Sequence, residues 1–83
     1  MAEIEWTQDA INDLDKLDIN IAKRIFNKMT WLAENFDNII PEPLEGKFKG
    51  TYKYRVGDYR VVYTIEQNTI IVQFVGNRKD VYK

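Results

Sequence analysis

The chain contains no cysteine and no histidine in 83 residues. Without cysteine there is no disulfide framework and no thiolate nucleophile. Without histidine the commonest acid–base group at neutral pH is missing. The two absences together remove the usual zinc ligands, and the acids have no spacing with another ligand type, so no metal site is expected. No apolar run approaches the length of a membrane span. The start, MAEIEWTQDA, has early acids and no uninterrupted apolar segment, so it does not read as a secretory signal. The cytoplasm is therefore the default location, with no membrane partner. Neither G-x-x-x-x-G-K-[ST] nor G-x-G-x-x-G occurs, and there are no repeats or low-complexity tracts.

The composition, 45% hydrophobic and 30% charged, is that of an ordinary globular protein, and the length suits one domain, residues 1–83, with a small core. The net charge of −1 hides a polarity along the chain. Residues 1–44 carry four cations against nine acids, whereas residues 45–83 carry eight cations against four acids. A basic half can attract a polyanion while the acidic half faces elsewhere. The acids of the first half read as a solvated face.

Glu3–Trp6 alternates polar and apolar residues and predicts a short strand. Thr7 is a helix N-cap with Asp9 in the first turn. Ala10, Ile11, Leu14 and Leu17 follow at helical spacing. Asp18 caps a second helix with the stripe Ile21, Ala22, Ile25, Met29, Leu32, Ala33 and Phe36. So few residues separate the helices that an αα-hairpin is expected. Trp6 and Trp31 are expected in the core or at its edge.

Asn35–Gly50, with Pro41, Pro43, Gly46 and Gly50, reads as a loop. Three strands follow, at about Phe48–Val56, Tyr59–Ile65 and Thr69–Asn77, with Glu66–Asn68 as the second turn. The prediction is an α+β fold of order βααβββ, an antiparallel sheet with the helix hairpin on one face. By alternation, Tyr52, Tyr54, Val56, Val61, Tyr63 and Ile65 share the core face, joined by Ile70, Val72 and Phe74 if register holds. Lys53, Arg55, Arg60 and Val62 lie on the other face, expected to be open to solvent.

Gly57-Asp58 between two alternating runs predicts a hairpin in which Arg55 lies directly across from Arg60, on one face with Lys53. Like charges placed opposite each other destabilise a sheet, so this alignment points to an anion, and the planar guanidinium suits phosphate. Arg78 and Lys79 follow Gly76 at the end of the last strand and can equally serve to stop it. Tyr82 reads locally as a packing residue, although a tyrosine can also stack on a base. Lys47 and Lys49 flank Phe48, a pattern that suits single-stranded RNA and equally suits the start of a strand.

Leu44-Glu45-Gly46, the run Tyr52–Tyr63 (YKYRVGDYRVVY) and the run Val75–Tyr82 (VGNRKDVY) resemble the RelE/ParE superfamily of bacterial and archaeal toxins. The N-terminal strand and helices fit the same element order. The resemblance implies a toxin of a type II toxin–antitoxin pair, neutralised by a cognate protein antitoxin. In the RelE branch it implies a ribosome-dependent endoribonuclease. There the ribose 2′-hydroxyl of messenger RNA attacks the adjacent phosphate, with neither metal nor cofactor. By the same resemblance Lys53 is the active-site lysine, a candidate base for the 2′-hydroxyl, and Arg55 and Arg60 bind phosphate. Arg78 stabilises the pentacoordinate phosphate, and Tyr82 stacks on or orients the base. Arginine is a poor acid at neutral pH, so electrostatic stabilisation is the role assigned to Arg78. Lys47, Lys49 and Lys79 are candidate RNA contacts. Asn77 stands where many relatives carry histidine, and Thr51 where RelE-type enzymes often carry lysine. Both changes imply slow cleavage of free RNA, with positioning supplied by the ribosome. The alternatives are a ParE-like inhibitor of DNA gyrase and a degenerate homologue that retains only antitoxin binding.

Overall fold

The computed structural model describes residues 1–44 and 50–77. Strand β1 (Glu3–Trp6) ends at Thr7, whose extended backbone and hydroxyl, accepting from Ala10 N at 3.1 Å, start helix α1 (Gln8–Asp15). Asp18 repeats the device for helix α2 (Ile19–Glu34), accepting from Asn20 N at 2.9 Å. The expected αα-hairpin forms, and α2 buries Ile25, Met29, Leu32 and Ala33 against the sheet. Trp6 packs at the core edge, stacked on Phe26 with ring centroids 5.8 Å apart. Trp31 departs from expectation and is 50% exposed. It lies two residues beyond Met29, about 200° around the helix from the buried stripe.

A short 3-10 turn (Phe36–Asn38) and a two-residue strand β2 (Glu42–Pro43) lie inside the segment expected to be loop. Strands β3 (Thr51–Val56), β4 (Tyr59–Glu66) and β5 (Thr69–Asn77) follow as predicted, with β3 beginning at Thr51. Phe48 and Lys49, placed by the sequence at the start of that strand, lie outside the described residues. The sheet order is β1-β5-β4-β3-β2. The pairs from β2 to β5 are antiparallel, and β1 adds to β5 in parallel. Proline is tolerated in β2 because that strand is the sheet edge. The fold is α+β, with the helices on one face of a mostly antiparallel sheet.

The core joins the α2 stripe to Val56, Val61, Tyr63, Ile70 and Val72, with Tyr52, Tyr54 and Ile65 packed against it, as alternation predicts. Phe74 does not belong to it; Val75 does. The cause is a bulge. Tyr63 pairs with Val72 but Val62 pairs with Phe74, so Gln73 is an extra residue in β5. Helix α1 and its cap satisfy the bulged backbone. Thr7 N donates to Val72 O at 3.1 Å, Thr7 Oγ1 to Gln73 O at 2.9 Å, and Val75 N to the Asp13 carboxylate at 2.9 Å.

The face away from the helices is not simply open, contrary to expectation. Val62 lies on it fully buried, and Leu44 is 4% exposed beside Thr51, to whose carbonyl its N–H donates at 2.8 Å. The bulge turns Phe74 onto this face beside Val62. Strand β2 extends it and brings Leu44 there, so the cations stand around a small apolar floor.

Candidate functional site

Three cations share the face away from the helices. The β3–β4 register sets Arg55 directly across from Arg60 and Lys53 across from Val62. The register follows from the two-residue turn, where Gly57 takes φ +59 as the first residue of a type II′ turn does. On the far side of Arg60 the β5 partner is Gly76, which contributes no side chain to that row. Arg55 and Arg60 thus project from neighbouring strands on one face, with no side chain from Gly76 beside them.

Lys53 sits lower in the face. Its ammonium lies 3.5 Å from Glu42 Oε1, and its side chain is only 17% exposed. Glu42 is its neighbour across the β2–β3 pair. Sequence reasoning missed this partner, because the Pro-Glu-Pro segment reads as loop and gives no register. The pair holds the Lys53 side chain against the β2 edge of the sheet. Arg55 is exposed, and its Nε donates to Gly57 O at 3.1 Å, which anchors the side chain over the hairpin turn. Arg60 is half-buried. The structure thus brings Lys53, Arg55 and Arg60 together. The other residues expected at the site, Arg78, Lys79, Tyr82, Lys47 and Lys49, lie outside the described residues.

Behind this face lies a cluster of tyrosines. Tyr63 is buried in the core and stacks on Tyr52, with ring centroids 5.8 Å apart. Burial, reinforced by Tyr52, Tyr54 and Glu42, pushes its phenol up to about 12. Tyr63 is therefore neutral near pH 7 and supplies no base. Among the described residues no group of three or more acids converges as metal ligands would, and no helix is long and apolar enough to cross a membrane. Chemically this face offers positive charge from Lys53, Arg55 and Arg60, partly offset at Lys53 by Glu42.

A second cationic surface also escaped sequence reasoning, which treated the N-terminal half as an acidic solvated face. Lys23, Arg24 and Lys28 of α2 line a groove of about 600 Å³ with Trp31 and Tyr54. The signal was present as Asn20, Lys23, Arg24, Asn27, Lys28 and Trp31, which recur at three- and four-residue intervals and so form one helix face.

Comparison with known proteins is consistent with this architecture. The family described as ParE toxin of type II toxin-antitoxin system, parDE, matches residues 4–82. Among solved structures, the toxin–antitoxin complex RelBE2 from Mycobacterium tuberculosis is similar at 26% identity and TM-score 0.81, over 93% of this chain and 98% of that one. The isolated E. coli RelE toxin is similar in fold at 23% identity and TM-score 0.74, over 99% of this chain and 92% of that one. The chromosomal ParDE system from P. aeruginosa is similar in fold at 14% identity and TM-score 0.77, over 93% and 96%. A comparison with curated proteins gives no match.

Proposed function

The chain belongs to the ParE toxin family, within the RelE/ParE superfamily of type II toxin–antitoxin toxins, and from that premise we propose that it inhibits translation by cutting messenger RNA on the ribosome. The observation that carries the reading is the directly opposed pair Arg55 and Arg60 on the face that also holds Lys53. Like charges placed directly opposite each other destabilise a sheet, and a phosphate bound at the pair would relieve that cost. A ribose 2′-hydroxyl attacks the adjacent phosphorus, the bond to the 5′-oxygen breaks, and a 2′,3′-cyclic phosphate remains. The proton of the 2′-hydroxyl passes to water, and water returns one to the departing 5′-oxygen. Arg55 and Arg60 hold the phosphate and stabilise its added charge. Lys53 adds to the same field from beside Glu42. By family resemblance Arg78 assists at the pentacoordinate phosphorus and Tyr82 orients the base, with Lys47, Lys49 and Lys79 as further RNA contacts. The expected partners are the ribosome with its messenger RNA and a cognate antitoxin. The related M. tuberculosis toxin was crystallised in a toxin–antitoxin complex.

The test is induction of the chain without its antitoxin, followed by primer extension on translated messages. New 5′ ends within codons and arrested growth are expected, and both should disappear in Arg60→Ala. Normal growth with abundant folded protein would refute the toxin reading. A second reading, inhibition of DNA gyrase, is favoured by the match to the ParE family itself. It predicts loss of supercoiling by purified gyrase, intact messages, and no dependence on Arg60.

A further inference from the structure

The α2 groove and the sheet cations meet at one point, the hairpin turn. On one side Arg55 Nε donates to Gly57 O at 3.1 Å. On the other, the Arg24 guanidinium lies against Gly57, its Nη1 3.5 Å from where a Cβ on that glycine would stand. Two guanidinium groups from opposite faces of the sheet thus bracket a residue with no side chain. From Arg24 the positive surface continues along α2 to Lys23 and Lys28, and ends at Trp31, which is 50% exposed. No carboxylate occurs among the described residues lining the groove, in a half of the chain that is otherwise strongly acidic.

We propose that this groove is a second RNA-binding surface, taking a strand that crosses the Gly57 turn from the sheet cations. The inference rests on the reading of the sheet face as a site for RNA phosphate. The chemistry of the groove favours RNA over an acidic peptide. Lys23, Arg24 and Lys28 provide three positive charges for successive phosphates. Trp31 and Tyr54 present aromatic surface on which unpaired bases stack, and Asn20 and Asn27 offer amides that can both donate to and accept from base edges. An acidic peptide would use the cations and leave the aromatic and amide groups without a specific role. The exposed indole also has a cost for a protein that never covers it, because Trp31 sits outside the buried stripe of α2 and contributes little to the fold.

The experiment uses the full chain freed from its antitoxin and two labelled 2′-O-methyl oligouridylates, one of three nucleotides and one of about twelve, read by fluorescence anisotropy from about 50 to 200 mM salt. These probes cannot be cleaved through the 2′-hydroxyl, so binding is read separately from activity, and a chain that binds them but cuts no message sinks the nuclease reading while leaving the groove intact. The longer probe is expected to bind more tightly than the shorter. Lys23→Ala/Lys28→Ala should weaken only the longer probe, by roughly tenfold or more at low salt, and lower its salt slope by about 1.4, at about 0.7 per phosphate contact on a single strand. Trp31→Ala should weaken the longer probe with its slope unchanged. Lys23→Gln/Lys28→Gln, which keeps helix propensity and long polar side chains, should match the alanine pair, separating charge from folding. Equal affinity of the wild type for both probes would overturn the proposal. So would unchanged binding in all the variants, or variants that lose the antitoxin while keeping RNA, which would make the groove a protein-docking surface.

Discussion

Arg60→Ala tests the reasoning about the sheet face most directly. In the fold Arg60 faces Arg55 on one side and Gly76 on the other. Removing it abolishes a like-charge opposition that costs about 0.2–1 kcal/mol. It also removes the packing of a half-buried stem against the face that carries Val62, a loss of similar size. The two effects oppose each other, so the change in stability should be small beside the effect on reaction. The effect on reaction is far larger. Loss of one preorganised donor to a charge that grows in the transition state costs about 10²–10³-fold in rate. Arg60→Lys keeps the charge but loses the planar fork, so it should fall between the two. The assay is single-turnover cleavage of a message on purified, programmed ribosomes, with thermal unfolding and antitoxin binding as controls. A rate within twofold of wild type in a folded Arg60→Ala protein would remove this arginine from the site. Unfolding of the variant would show that Arg60 belongs to the packing of the sheet and not to its chemistry.

Three further outcomes follow from single contacts. Asp13→Ala leaves Val75 N without its 2.9 Å acceptor, a loss of about 1–3 kcal/mol; faster amide exchange at Val75 is expected, with a smaller effect in Asp13→Asn, and unchanged exchange would refute the role of α1 in holding the bulge. Gly57→Ala places a side chain at φ +59 with its Cβ only in ordinary contact with Arg24, so the cost is backbone strain of about 1–2 kcal/mol, seen as a lower Tm at about 4–8 °C per kcal/mol, and an unchanged Tm would contradict it. Tyr63 has its phenol pushed up to about 12 from 10.0; the fold favours the neutral form, so stability is full below about pH 10 and falls by about 1.4 kcal/mol per unit as pH rises from there to about 12. Denaturant unfolding should show this fall in the wild type and a flatter profile in Tyr63→Phe, and the same slope in both would refute it.

What the sequence determined by itself was carried by local chemistry and period. The caps at Thr7 and Asp18, the stripe of α2, the Gly57-Asp58 turn and the Arg55–Arg60 pairing each depend on residues within a few positions of one another, or on a two-residue turn that sets register outright. The β-period also assigned Tyr52 to Ile65 to the correct faces, because nothing interrupts the alternation there. Tertiary structure decided the rest. Thr7 and Asp13, far away in sequence, hold the bulge at Gln73, and that single residue moves Phe74 from the core to the cationic face. The pairing of β2 with β3 brings Glu42 to Lys53 from a segment whose prolines mark it as loop. The α2 groove exists because packing sets Tyr54 and the Gly57 turn beside Lys23, Arg24 and Lys28, whose shared helix face is periodic in the sequence but whose opposite wall is not. Periodicity says which way a side chain points within its own element. It carries no information about what another element places in front of it, because that depends on contacts between residues far apart in the chain.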